Sequence, residues 1–253
     1  MIYYPTTLLG MADSCIGGKS SINVGKFKNI AGNYFPPREI VIDTAFCKTL
    51  PITQIVAGLC ESVKICFADP GTAFDEYLAI ASAPDLLQDE AQLASVISLS
   101  LRTKKKFVEE DEFDLGVRLH LNFGHTFGHA IESASNFSIS HGVAVGIGTL
   151  AALHLSESLG FSDGRIPRVQ SFVRHMHFLL SQVPGLANAL DQVSSVEAFD
   201  RFKSDKKHRM DAYAAILFDR QGYLERRFIP IDFESESKVI LAFDSVKREI
   251  NEI

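Results

Sequence analysis

The run Asn122-Phe123-Gly124-His125-Thr126-Phe127-Gly128-His129 sets two histidines four residues apart, each behind a glycine. On a helix that spacing places both imidazoles on one face, one turn apart. His141 follows after a short polar link, Ser138-Ile139-Ser140, just before the next helical pattern. Neutral imidazole is the commonest metal ligand, and a glycine removes bulk where a backbone or a ligand approaches. A glycine inside a helix costs roughly 1 kcal/mol relative to alanine. Two of them beside two histidines weigh towards a site, against the plainer alternative of two satisfied polar side chains. Glu61 is the best candidate for a further ligand. It lies in the otherwise apolar run Ile55 to Lys64, where an isolated carboxylate is costly. Lys64, at i+3, shares its face, and a simple intrahelical ion pair is the alternative there. One glutamate and two histidines leave a coordination position open, which is the pattern of catalytic zinc.

A second group of residues is cationic. Asp13-Ser14-Cys15-Ile16-Gly17-Gly18-Lys19 is followed by Lys26-Phe27-Lys28-Asn29. Glycines let backbone amides reach an anion and lysines add point charge, although the spacing is not that of a Walker A loop. Lys104 with Arg118, and Asp205-Lys206-Lys207-His208-Arg209, are the other clusters. Each alone reads as a solvated face; together they suit a small, multiply anionic substrate.

These residues need elements to hold them. Met1 to Tyr4 and Glu39 to Asp43 read as strands, with a glycine-rich loop between them and a turn at Pro36-Pro37. From Pro51 the period becomes helical: Gln54 to Phe67, Ala73 to Leu87, Gln92 to Val108, Asn122 to Ser135, Val143 to Leu159 and Val169 to Leu180. A hairpin, Ala212 to Phe218 and Arg226 to Ile231 around Arg220-Gln221-Gly222, precedes a closing helix, Lys238 to Ile250. The expected fold is α/β plus all-α: residues 1–50 form the tail of an α/β domain, and residues 51–253 form a mostly helical domain with a small β-hairpin.

Composition narrows the class. The chain has 253 residues, 46% hydrophobic and 22% charged, an ordinary globular mixture that rules out a disordered tail or a disulfide scaffold. A net charge of −6, from 25 basic against 31 acidic residues, argues against nucleic acid as a partner. The longest apolar stretch, Val143 to Leu153, is about half the length a membrane-spanning helix needs. The start shows no charged segment leading into an apolar one, so no secretory leader and no membrane partner are expected. The four cysteines, Cys15, Cys47, Cys60 and Cys66, form no CxxC pair and read as reduced, packed thiols. A cytoplasmic location follows as the expectation.

Taken in order, the motifs resemble the 3-dehydroquinate synthase family. They are Pro5-Thr6-Thr7-Leu8-Leu9, Asp13 to Lys19 with Lys28-Asn29, Ile42-Asp43-Thr44 to Leu50-Pro51, Ala57-Gly58-Leu59-Cys60-Glu61, Leu121 to Glu132, His141-Gly142 and Asp205-Lys206-Lys207. The resemblance implies that Glu61, His125 and His141 bind Zn2+ or Co2+. It implies NAD contacts at Thr6, Thr7, Lys19, Lys28, Asn29 and the stretch Phe46, Cys47, Lys48, Thr49. Substrate groups would be Asp13, Lys64, Lys104, Arg118, Asn122, His129 and a member of the Lys206-Lys207 pair.

The implied reaction converts 3-deoxy-D-arabino-heptulosonate 7-phosphate to 3-dehydroquinate and phosphate, through transient oxidation by NAD, elimination, reduction and aldol closure. A homodimer is implied as well. Residues 1–50 would be the C-terminal remnant of a Rossmann-like NAD domain, the family's glycine-rich loop belonging to a region of roughly one hundred residues before Met1. In one departure, the family usually reads His-Gly-Glu where this chain has His141-Gly142-Val143. Related activities also fit the motifs: a cyclase making an aminocyclitol-type precursor, a metal-dependent polyol dehydrogenase, or a catalytically incomplete paralogue.

Overall fold

Every residue from Ile55 to Ala68 is buried in helix α1 (Ile52–Ala68), which is apolar on all sides and so must run through a core. The computed structural model describes residues 1–24, 27–83, 85–162, 164–205 and 207–253, and for residues 22–24 and 27–30 the backbone only. Lys26 and Lys206 therefore lie outside the described residues, and the side chains of Lys28 and Asn29 do too. Two units form, Met1–Arg118 and Leu119–Ile253.

The first unit starts with β1 (Ile2–Tyr3), a π-helical turn at Gly10–Ser14, β2 (Ile22–Val24), β3 (Phe27–Ala31) and β4 (Glu39–Ile40). β1 and β4 pair in parallel, Ile2 opposite Glu39 and Tyr3 opposite Ile40. The expected pair of strands is present but shorter, and the antiparallel β2–β3 hairpin between them is an addition to the expectation. After a 3-10 turn, Thr44–Thr49, come α1, α2 (Ala73–Ala81) and α3 (Glu90–Glu110). α2 stops at Ala81 rather than Leu87; the sequence places Pro84 next, and a proline disfavours helical backbone at the residue before it. α3 restarts at the side chain of Asp89, which accepts from the N–H of Ala91 at 2.7 Å and of Gln92 at 3.0 Å. Helices α1 to α3, grouped by the sequence with the later helices, pack here with the N-terminal segment. Gly58 makes that possible: a Cβ there would stand 2.8 Å from the backbone nitrogen of Leu9.

The second unit comprises α4 (His125–Ala134), α5 (His141–Ser158), α6 (Pro167–Ser181), α7 (Leu186–Asp191), α8 (Ser195–Lys203), β5 (Ala212–Phe218), β6 (Leu224–Pro230) and α9 (Phe233–Asn251). α7 and α8 were not expected from period alone. The second carries a signal nonetheless, because Ser194-Ser195-Val196-Glu197 spells a capping box and Ser194 accepts from the Glu197 N–H at 3.4 Å. β5 and β6 pair antiparallel from Ala212 opposite Pro230 to Phe218 opposite Leu224. α5 is buried all round and packs against α4, α6, α9 and β5. Phe127 fixes α4 to the core, its ring centroid 5.1 Å from both Phe202 and Phe243. No described helix is long and apolar enough to cross a membrane.

Three glycines set the approach of α4 to α5. A Cβ at Gly148 would lie 2.1 Å from the carbonyl oxygen of Gly124 and 2.6 Å from the nitrogen of Gly128. A Cβ at Gly128 would in turn lie 2.8 Å from the Cα of Val145. These are backbone contacts that no rotamer change relieves. Gly148→Ala is therefore expected to cost about 3 kcal/mol, as forced separation of packed helices does. A urea midpoint equal to the wild type would refute that packing.

Elsewhere on α5, His154 Nε2 lies 2.7 Å from one oxygen of Glu249 on α9, and His177 Nε2 on α6 lies 2.6 Å from the other. Burial pushes the Glu249 carboxyl up, but these two hydrogen bonds outweigh it and bring the group down to about 2. A depressed folded-state value means the contribution is complete above the ordinary carboxylate range and is lost as pH falls towards 2. Glu249→Gln should lower stability by about 1–3 kcal/mol at pH 6. Acid titration of unfolding should show the gap to wild type closing below pH 4.5; a gap that stays constant would count against the clamp.

Candidate metal and substrate site

In the first unit, loop and helix α3 bring the expected cations to the glycine loop. Lys104 lies 2.7 Å from Asp13 Oδ1 and donates to the Asp13 carbonyl at 2.6 Å. Arg118, buried, donates to the carbonyls of Glu112 at 2.5 Å and Gly17 at 3.0 Å. The left-handed Gly17, φ 95°, is required there, since a Cβ would stand 2.3 Å from the Arg118 guanidinium. Gly17 thus makes room for an arginine, which is a use of the glycine loop that its spelling does not announce. Lys19 pairs with Asp114 at 2.5 Å. On α1, the Lys64 ammonium pairs with the Glu61 carboxylate, both fully buried. A buried charge needs such a partner, and removing one member of a pair like this is costly.

The expected NAD residues divide by exposure. Thr6, Phe46, Lys48 and Thr49 are exposed, and the Thr7 hydroxyl accepts from the Gly10 N–H at 3.1 Å. Lys48 pairs with Glu90 at 2.7 Å. Cys47 is buried, its thiol 3.9 Å from the Met11 sulfur, and burial pushes that thiol above its ordinary range.

The second unit gathers the histidines. His125 is the first residue of α4, just after the left-handed Gly124, and His141 is the first of α5. Each of His125, His129 and His141 can offer a ring nitrogen such that all three lie within 4.8 Å of one another. The rings stand 5.3 to 5.5 Å apart between centroids. Nδ1 of His141 lies 3.0 Å from the carboxylate of Glu132, and Nδ1 of His125 lies 3.3 Å from the Phe123 carbonyl. An acceptor at Nδ1 selects the tautomer whose Nε2 keeps its lone pair, the usual outer support of a metal-binding histidine. Imidazole nitrogens brought this close are donors that suit Zn2+ or Co2+. Glu132 stands within the matched motif but carried no expected role. The signal was present: positions 125, 129 and 132 follow the i, i+4, i+7 stripe of one helix face.

Asn122 ends a 3-10 turn, Val117–Asn122, and its amide nitrogen is a buried donor without a hydrogen-bond partner. With Thr126 and Lys207 it lines a cleft against β5. His208 holds the Lys207 segment there: its Nε2 faces the Phe202 carbonyl at 2.8 Å and its Nδ1 accepts from the Ala214 N–H at 3.0 Å. Burial keeps the His208 imidazole below its ordinary range, as this donor-and-acceptor role requires.

Comparison with known proteins bears on identity. The family model described as 3-dehydroquinate synthase N-terminal matches residues 1–57, and the one described as 3-dehydroquinate synthase C-terminal matches residues 58–208. The chain is 34% identical over 237 residues to a 3-dehydroquinate synthase of Saccharolobus solfataricus, covering 92% of this chain and 65% of that protein. It is 36% identical to that of Sulfolobus acidocaldarius over the same shares, and 35% identical to that of Streptococcus pyogenes over 88% of this chain and 60% of that one. The chain thus spans about two thirds of these relatives' length, 65% in the first.

Among solved structures, 2-deoxy-scyllo-inosose synthase complexed with carbaglucose-6-phosphate, NAD+ and Co2+ superposes with a TM-score of 0.80 at 22% identity, over 96% of this chain and 66% of that one. ValA, the 2-epi-5-epi-valiolone synthase of Streptomyces hygroscopicus with NAD+ and Zn2+ bound, gives 0.76 at 23%, over 98% and 66%. These two establish the fold. With both family models matched in order and relatives of one name identical to it at about a third of the aligned positions, the chain belongs to the 3-dehydroquinate synthase family.

Proposed function

We propose that this chain carries the metal- and substrate-binding part of a cyclase that converts 3-deoxy-D-arabino-heptulosonate 7-phosphate to 3-dehydroquinate and phosphate, with no net redox change. The observation that carries the reading is the convergence of His125, His129 and His141 with a carboxylate behind one of them, in a chain of this family. The ligands of the metal are His125 and His141, with Glu61 joining them through the family resemblance. When bound, the metal polarises alcohol and carbonyl oxygens, and NAD accepts and returns a hydride.

The chain's own groups then do four things. Glu132 holds the His141 ring in one tautomer, and the Phe123 carbonyl does the same for His125. His129, one turn further along α4 with its ring 5.3 Å from that of His125, exchanges a proton with bound substrate in this reading. Asn122 and Lys207 offer donors to an oxyanion. Asp13, Lys64, Lys104 and Arg118 complete the substrate set by resemblance, and holding a flexible acyclic chain in one pose is how such groups contribute to rate.

NAD contacts are Thr6, Thr7, Lys19, Lys28, Asn29 and Phe46 to Thr49. The exposed side chains of Thr6, Phe46, Lys48 and Thr49 support this, while buried Cys47 fits as packing between them. The parallel β1–β4 pair supports residues 1–50 as the end of a Rossmann-like domain followed by a helical domain from residue 51. Four free, buried cysteines accord with a cytoplasmic setting. A homodimer and the absence of nucleic-acid or membrane partners complete the reading.

The deciding experiment supplies the chain with NAD, zinc and heptulosonate phosphate, and follows phosphate and NADH together. Phosphate release without net NADH is the expected result. Net NADH would mean a polyol dehydrogenase, and no release from a metal-loaded chain would mean a catalytically incomplete member of the family. The metal set has its own test. His125→Ala should abolish zinc retention, and Glu132→Gln should weaken zinc about 10- to 100-fold in competition with a chelator. Zinc content in His125→Ala equal to the wild type would overturn the ligand assignment.

A further inference from the structure

Arg226 on β6 faces the cleft that holds Asn122 and Lys207, across the strand pair from Ile216. Nothing in the motifs of the family resemblance points to it. Its neighbour Arg227 pairs with Glu225 at 2.5 Å and lies over Phe161. Arg226 has no such partner: among the described residues no carboxylate lies within ion-pair distance of it. Its guanidinium rests instead over the ring of Phe228, 4.9 Å from the centroid. Arg209, equally without a carboxylate among the described residues, occupies the same ring at 3.6 Å. Two guanidiniums on one phenyl ring and a buried amide N–H that lacks a partner make a donor-rich corner, in which the Lys207 ammonium has the Asp205 carboxylate 3.9 Å away. Stacking holds a guanidinium in plane without using its N–H groups, which stay available for a bidentate acceptor. As built, the cleft has room for about one water molecule. Its wall includes the long side chains of Lys207 and Arg226, so an oxyanion enters by turning them onto itself.

We propose that Arg226 is a further substrate-contacting residue: with the Asn122 amide and the Lys207 ammonium it grips an oxyanion group of the ligand, a phosphate or a carboxylate. The identity of that ligand as the heptulosonate phosphate rests on the cyclase reading; the anion site itself does not. The test titrates the full chain with inorganic phosphate and, separately, with acetate, by calorimetry at low salt.

Saturable binding to the wild type is expected, with Arg226→Gln about tenfold weaker, the loss of one charge-assisted contact. Arg226→Lys should fall between, because it keeps the charge and loses the fork. Arg220→Gln, which removes a charge from the exposed turn of the same hairpin, should bind as the wild type does. Weakening confined to phosphate assigns the phosphate end of the substrate, and weakening confined to acetate assigns the carboxylate end. The proposal is overturned if the wild type binds neither anion, if Arg226→Gln binds as well as the wild type, or if Arg220→Gln loses as much as Arg226→Gln.

In turnover, Arg226→Gln should raise KM about tenfold with kcat little changed. Phosphate release with an unchanged KM in Arg226→Gln would remove this contact and leave the cyclase standing. Arg226-dependent anion binding without any turnover would do the reverse.

Discussion

The contact on which the second unit depends is one of backbone against backbone. Gly148 on α5 meets the Gly124 carbonyl and the Gly128 nitrogen at distances that exclude any side chain. Helices usually cross 8–10 Å apart because side chains keep them there; glycines let these two come closer. That approach brings the first turn of α5, with His141, beside the first two turns of α4, with His125 and His129. The imidazoles converge because the helices that carry them cannot separate without losing that glycine contact and the burial of the apolar length of α5. Rigid elements and short side-chain reach are what a ligand constellation needs, and both are present here.

α5 carries two histidine–carboxylate arrangements, and their difference separates support from site. At His154 both oxygens of Glu249 are taken by imidazoles, one from α5 and one from α6, and the result is a closed clamp on α9. At His141 a single carboxylate, Glu132, contacts Nδ1 while three imidazoles face a common point. The first arrangement joins three helices. The second orients ring nitrogens towards space that a cation can fill. The same residue types serve both ends, and only the count of carboxylates against imidazoles tells them apart.

Much of this was legible in the residues. The period-3.6 runs place α1, α3, α5 and α6, because buried helices keep their apolar stripe whatever surrounds them. The His125–His129 spacing and the β5–β6 hairpin are local and equally readable. Short elements escaped: α7 and α8 are too brief for period to show, and α2 ended earlier than its apolar pattern. In the sequence Gly17 reads as serving an anion, and Gly128 as making room for a backbone or a ligand. They make room for Arg118 and for the backbone of α5, neighbours far away in sequence that no spacing reveals. Glu132 and Arg226 escaped for a related reason. Glu132 continues the His125–His129 stripe, but its partner His141 belongs to the next helix, and Arg226 meets Asn122 and Lys207 only in the fold.

The valine at position 143, where the family usually has glutamate, has a local physical reading. Ser140 is the N-cap of α5, so Val143 sits at the third helical position. A glutamate there would spell Ser140-x-x-Glu, the capping box, in which each side chain bonds the other's backbone N–H. With valine the reciprocal bond is gone. The Ser140 hydroxyl makes no cap hydrogen bond and is a buried oxygen without a partner, while the Val143 side chain is packed in the core. The start of α5 is held instead from α4, by the Glu132 carboxylate on the imidazole of its first residue and by the Gly148 contact about two turns further along. The absence of a carboxylate at position 143 thus falls on the cap of the helix that begins with His141, and the carboxylate that contacts this histidine comes from a different residue on a different helix.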